Sequence, residues 1–295
     1  MGIEIRVNKP KMLELVDPEQ NIELIISDIS GGDGPIWRQQ NECLYFNNVG
    51  DSSTWSFNRE RGLRHAFCNG TLSKGMCVTK DGRLAMCEQA TGSIAIRNAD
   101  GTKRKVLADY YGDNELNAPC DIVQRSDGIL YFTDPALGRG ADMPKTSGSS
   151  PYHLRSLYAF NLEKEELTQI VSDFENLVCL CFSPDEKQMY IGDMENQILI
   201  YDVNINGNLE NERLFIKLSD SPGGMKTDQE GNLLVASPQT GLNWYTPEGE
   251  LLGTIVLPMP QNLTWGENDF KTLYVTTSTC VYRMRTRIAG QHRRV

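Results

Sequence analysis

The chain has 295 residues, 39% of them apolar, and a formal net charge of −10. That length holds one large domain or two ordinary ones, and the acidic balance argues against nucleic acid or an anionic membrane surface as a partner. No stretch reads as a secretion signal or as an apolar run long enough to span a bilayer, so a cytoplasmic protein with reduced cysteines is expected.

Residues 1–21 are polar and are expected to lie on the outside, followed by an isolated strand at 22–28. A pattern then begins at Asp33-Gly-Pro-Ile-Trp37 and Leu44-Tyr-Phe46: a special or polar residue, a small residue, a short apolar strand, an Asp- or Gly-containing turn and a second apolar strand. It returns at Lys74-Gly-Met-Cys-Val78, Cys120-Asp-Ile-Val123, Val178-Cys-Leu-Cys-Phe182, Gly223-Gly-Met-Lys226 and Gln261-Asn-Leu-Thr-Trp265, each with its turn and second strand. Recurrence roughly every 40 to 60 residues is the signature of propellers and solenoids. Two further short strands between copies bring each unit to about four, as in a propeller blade. The spacing therefore predicts an all-β, six-bladed β-propeller occupying residues 1–295 as one domain. The sixth unit has only three strands of its own, so the strand at 22–28 is expected to supply its outer edge and close the ring.

Residues 135–155 break the rhythm. This Gly-, Ser- and Pro-rich connection lies between the second and third strands of blade three, and a loop that long in a compact domain is usually functional or disordered. It is expected to hang over the channel mouth as a lid. The end of the chain, 285–295, is basic, and with Arg283 it presents Arg285, Arg287, Arg293 and Arg294, expected as a solvated terminus. Of eight cysteines, Cys43, Cys77, Cys87, Cys179, Cys181 and Cys280 lie in or beside apolar strands, where a free thiol behaves as a small hydrophobe. None has zinc spacing.

In such a ring the residue just before each innermost strand points to the axis at one mouth. Reading that position around the repeat gives Asp33, Lys74, Cys120, Val178, Gly223 and Gln261. An acid, an amine and a thiol converging in a partly apolar concavity suit a small-molecule site. Trp37, Glu88, Gln89, Asn117, Asp121, Asp134 and Asp193 are candidates for a second ring, and Tyr152 and His153 in the long loop could reach down as a proton donor or base. Structural roles stand beside these: Asp33 capping a turn or pairing with Lys74, Cys120 inert, Asp121 and Asp134 holding strand ends, His153 an ordinary loop histidine.

Several stretches, Asn117-Ala-Pro-Cys-Asp-Ile-Val123, Ser126-Asp-Gly-Ile-Leu-Tyr-Phe-Thr-Asp-Pro135, Phe182-Ser-Pro-Asp185 and Pro222-Gly-Gly-Met225 with Leu273-Tyr-Val-Thr-Thr277, resemble the gluconolactonase, senescence marker protein and luciferin-regenerating enzyme family. The resemblance runs from residue 22 to 284. It implies a six-bladed propeller, lactonase or related hydrolase activity, and one divalent metal, usually Ca²⁺, at the top of the channel. The family holds that metal with a Glu, two Asn and an Asp. The matching residues here are Asp33, Cys120, Val178 and Gly223, of which only Asp33 offers a hard oxygen, while Ca²⁺ takes six to eight. Lys74 adds a positive charge where the family often has Asn.

The expectation is a divergent lactonase-family enzyme that acts on a small, mostly apolar molecule by metal-independent acid–base chemistry, with no cofactor. Ester or lactone hydrolysis and a biosynthetic cyclisation or isomerisation both fit, with Asp33 as base, Lys74 as electrostatic stabiliser and Cys120 as a third candidate. Two alternatives stand beside it: a metal-dependent sugar-lactone hydrolase with ligands rearranged onto Asp33, Asp121 or Asp193, and a non-catalytic binding propeller.

Overall fold

The repeated strand pairs hydrogen-bond into six antiparallel sheets in the computed structural model, which describes residues 3–136, 156–172 and 176–291. Their inner pairs are Gly32–Arg38 with Cys43–Asn48, Ser73–Val78 with Leu84–Glu88, and Ile122–Gln124 with Leu130–Asp134 in blades one to three. Leu177–Phe182 with Gln188–Asp193, Met225–Thr227 with Leu233–Ser237, and Pro260–Gly266 with Thr272–Thr277 complete blades four to six. The second strands are almost wholly buried because neighbouring blades cover both of their faces, which is why they read as continuous apolar runs. Outer strands such as Gly62–Cys68 face water and carry charge.

Glu23–Ile26 pairs antiparallel with Val281–Arg285 as the outer strand of blade six, and Arg283 Nε donates to Glu23 Oε2 at 2.7 Å across that seam. The first and last parts of the chain are thus zipped together. Residues before this strand do more than cover the outside: Glu4–Val7 pairs with Leu251–Val256 as a fifth strand of blade five. Met12, Leu15 and Val16 then sink into the core shared by blades five and six, against Trp244 and Trp265.

The basic end departs from the expected solvated terminus. Arg285 bonds Asp269 and Thr272, the Arg287 backbone N–H donates to Leu15 O at 2.7 Å, and its guanidinium pairs with Asp17 at 3.3 Å. The chain continues under blade five, where Gln291 N donates to Thr227 O at 2.9 Å, and reaches blade four through Gln291 Nε2 to Ser183 O at 3.1 Å. Carboxylates and free carbonyls on the underside give the arginines and the tail backbone partners. Arg293 and Arg294 lie outside the described residues, as do residues 137–155 of the expected lid.

The blades are tied to one another at every junction near the axis. Asn47 Nδ2 of blade one donates to Lys74 O of blade two at 2.7 Å, and Gly75 N donates to Cys120 O of blade three at 2.8 Å. Leu180 N of blade four donates to Asp121 Oδ2 of blade three at 3.2 Å, and Thr227 Oγ1 of blade five donates to Phe182 O of blade four at 2.9 Å. Gly224 N donates to Gln261 O of blade six at 2.7 Å, and Asn262 Nδ2 returns to Asp33 Oδ1 of blade one at 2.9 Å.

Blades two and three meet closely at Gly75, where a Cβ would stand 2.5 Å from the Asp121 Cα and 2.7 Å from Cys120 O. Backbone of a neighbouring blade cannot yield as a flexible side chain does. Gly75→Ala is therefore expected to lower the unfolding free energy by about 2 kcal/mol or more, read from urea melts. An unchanged midpoint would mean that blades two and three separate there at no cost.

Candidate active site

The segments entering the inner strands surround a cavity of about 200 Å³ at one end of the channel, lined by Asp33, Lys74, Cys120, Val178, Gly223 and Gln261, one residue from each blade. Its wall also includes Asp121, Cys179, Met194, Pro222, Pro238 and Asn262. The wall is two-sided. Blades six, one and two contribute amide, carboxylate and ammonium groups; blades four and five contribute Val178, Cys179, Met194, Pro222 and Pro238, with the Ser221 hydroxyl among them.

Asp33 is held by local backbone geometry. Gly34 sits at φ +53°, and a Cβ there would lie 2.1 Å from Lys74 O, so only glycine fits between the first two blades. The Gly34 N–H donates to Asp33 Oδ1 at 2.7 Å, and Asn262 Nδ2 donates to the same oxygen at 2.9 Å. The other oxygen, Oδ2, accepts no hydrogen bond from the described residues. A carboxylate fixed through one oxygen with the second uncommitted is suited to taking a proton.

Lys74 Nζ has neither a hydrogen bond nor an ion pair among the described residues, so the Asp33–Lys74 pair considered from sequence is not formed. Its pKa is raised, most by the negative charge of Cys120 in its ionised form, against burial and with help from Asp33. Cys120 itself is buried, and burial pushes its thiol up to about 12; Lys74 opposes that shift, and Asp33 and Asp121 add to it. At neutral pH the cavity therefore contains an ammonium and a neutral thiol.

Asp121 lines the cavity but is committed to structure. Its Oδ1 accepts the Ile122 N–H at 3.0 Å and its Oδ2 accepts Leu180 N–H at 3.2 Å. Burial raises its pKa, opposed chiefly by Lys226, which stands on the inner strand of blade five.

Six residues placed near the site from sequence, Trp37, Glu88, Gln89, Asn117, Asp134 and Asp193, do not line the cavity. Trp37 lies four positions along its strand from Asp33, about 13 Å at 3.3 Å per residue, and stacks on Tyr274 with centroids 5.8 Å apart. Glu88 is fully buried and is consumed by ion pairs to Arg97 and Arg104. Asn117 is tied to Asp134, which accepts its backbone N–H at 2.8 Å. Asp193 caps the turn after its strand, accepting from Glu195 N at 2.9 Å and Gln197 Nε2 at 2.9 Å. Tyr152 and His153 lie outside the described residues.

Met194, Pro222, Pro238 and Asn262 were not singled out from sequence. Met194 and Pro238 follow the second strands of blades four and five, in connections that open on the same face as the inner-strand entries. That topological rule could have found them.

The donor set does not fit a calcium site. Val178 has no ligating atom, Cys120 presents a neutral thiol, and Asp33 has one oxygen already engaged. A Cβ at Gly223 would stand 2.2 Å from Gln261 O, so a side-chain ligand there requires blades five and six to move apart. A shell rearranged onto Asp121 and Asp193 meets carboxylates spent on backbone N–H groups. Among the described residues no three His, Cys, Asp or Glu side chains converge as metal ligands, and Lys74 adds a repelling charge.

Residues 31–279 match the SMP-30/gluconolactonase/LRE-like region. A gluconolactonase of Zymomonas mobilis is 27% identical over 310 aligned positions, which cover 95% of this chain and 85% of that protein. Among solved structures, a gluconolactonase of Xanthomonas campestris superposes with a TM-score of 0.87 at 22% identity, covering 96% of this chain and 94% of its own. The calcium-binding protein regucalcin of Agrobacterium tumefaciens superposes with a TM-score of 0.74 at 16% identity, covering 90% and 93%.

Two outcomes check this assignment of groups. Glu88→Gln leaves Arg97 buried without its counter-charge and is expected to cost about 3 kcal/mol of stability in chemical melts; equal stability would show that the pair contributes nothing. With its thiol at about 12, Cys120 should resist iodoacetamide at neutral pH while exposed Cys68 is alkylated. Mass spectrometry finding Cys120 modified first would contradict the buried, neutral thiol.

Proposed function

Because the chain belongs to the SMP-30/gluconolactonase/LRE-like family, we propose that it is an enzyme that opens a lactone or ester of a small, largely apolar molecule in the channel mouth, without a divalent metal. One observation carries this: Lys74, an ammonium with no partner among the described residues, and Asp33, with one carboxylate oxygen uncommitted, line the same cavity.

Hydrolysis of such a carbonyl needs a base for the attacking water and positive charge for the oxygen that becomes anionic. Asp33 Oδ2 takes the proton of the water as its oxygen bonds to the carbonyl carbon. The Lys74 ammonium faces the developing oxyanion, where a fixed charge in a partly desolvated site counts most. Collapse of the tetrahedral intermediate breaks the bond to the leaving oxygen, and the proton on Asp33 passes to that alkoxide. The product is a hydroxy acid, or an acid and an alcohol. Cys120 stays a thiol and serves as wall.

Val178, Met194, Pro222 and Pro238 offer no side-chain partner to sugar hydroxyls, and the Cys179 thiol is a weak one, so on that wall Ser221 alone among the lining residues carries a hydroxyl. Burying a hydroxyl unpaired costs about 1–3 kcal/mol, which disfavours a polyhydroxylated lactone and favours one with an alkyl or aryl body. Steady-state kinetics on a panel of alkyl-substituted lactones and glucono-δ-lactone test this. Alkyl lactones should be the better substrates, and Asp33→Asn and Lys74→Met should each lower kcat/KM by about 100-fold or more. Turnover unaltered in both variants would remove the cavity as the site, and no turnover of any lactone would leave a binding propeller.

A further inference from the structure

A second depression, of about 560 Å³, lies between blades one and two at the opposite end of the strands from the channel mouth. Asp33 opens the inner strand of blade one and Arg38 ends it; the depression begins at Arg38 and runs past the first turn of blade two to Arg64 on the outer strand of blade one.

Its hydrogen-bonding groups do not balance. Arg38 Nε donates to Gly82 O at 3.1 Å, and its two terminal amino groups have no acceptor among the described residues. Arg64 is exposed and has no ion-pair or hydrogen-bond partner among them. The Tyr45 hydroxyl accepts from Asn41 Nδ2 at 2.8 Å but donates to nothing described; against these donors stands one buried unmatched acceptor, the Asn41 amide oxygen. The carboxylates that line the groove, Asp81 and Asp100, are already engaged. Asp81 pairs with Arg83 at 2.5 Å and accepts from Thr79 Oγ1 at 2.6 Å, and Asp100 accepts from the Thr102 N–H at 2.9 Å.

The positive field is shared rather than local. Burial pushes the Cys43 thiol up, and Arg61, Arg38 and Arg64 all act against that shift while Glu42 adds to it, so three guanidinium groups and one carboxylate act on one point. A surplus of cations and N–H or O–H donors, in a chain whose net charge is −10, calls for a ligand made almost wholly of acceptors. Planar guanidinium forks match the spacing of phosphate oxygens. We infer that this groove binds the phosphate groups of a small phosphorylated metabolite, at a site separate from the channel.

Calorimetric titration of the full chain with inorganic pyrophosphate tests this, with citrate as a polycarboxylate control of similar charge. Saturable binding with a Kd on the order of 1 mM or tighter is expected, weakening with added salt. Arg64→Met should weaken it about ten-fold and Arg38→Met/Arg64→Met should abolish it, while Lys74→Met leaves it unchanged. Should loss of the Arg38 bond to Gly82 unfold the double variant, exposed Arg64→Met alone decides. The proposal is overturned by absence of saturable binding, by an affinity unaltered in the arginine variants, by loss in Lys74→Met instead, or by citrate binding as tightly as pyrophosphate.

Discussion

Hydrogen bonds between successive blades, close to the axis, hold this molecule in register. Each is an ordinary bond, from Asn47 to the Lys74 carbonyl round to Asn262 on Asp33, and each alone contributes about 1 kcal/mol. Their effect is geometric. They bring the first residues of six inner strands to within reach of one small cavity, so the chemistry at the mouth depends on how tightly neighbouring backbones meet. The glycines at 34, 75 and 223 mark where they meet most closely.

The same bonds decide which acids remain available. Asp33 and Asp121 both line the cavity, yet Asp121 spends both oxygens on backbone N–H groups of blades three and four. Among the described residues Asp33 spends only one, and its second is the base that the proposed hydrolysis needs. In the same cavity, the Lys74 ammonium, without a partner among the described residues, would supply in the proposed reaction the positive charge that a divalent ion would bring. A lysine at this place is self-consistent with Val178 and Gly223: a cation carried by the chain needs no ring of oxygen ligands, and positions released from ligation are free to become apolar. In the proposed reaction, substrate preference and metal independence would then have one origin.

The repeat made the architecture and the axis positions legible from sequence, because a blade needs the same strand, turn and small-residue pattern each time. Individual side chains beyond that ring were harder to place. Trp37 shares a strand with Asp33, but strand rise carries it to the far end. Glu88 looks like an acid near the mouth until the pairing with Arg97, nine residues away on the next strand, is seen. Asn262 directly follows an axis position, yet its bond to Asp33 spans the join between the last blade and the first, a contact with no local signature. The docking of Arg287 and Gln291 is hidden for the same reason: a basic run reads as solvated until its acidic partners, distant in sequence, are folded beneath it.

Metal independence is tested most directly by turnover of an alkyl lactone after exhaustive chelation, with metal content measured on the same sample. If Lys74 carries the charge, kcat/KM is unchanged when bound metal falls far below one per chain, and added Ca²⁺ does not increase it. Loss of activity on chelation, restored by one equivalent of Ca²⁺, would contradict this and return the catalytic charge to a bound ion.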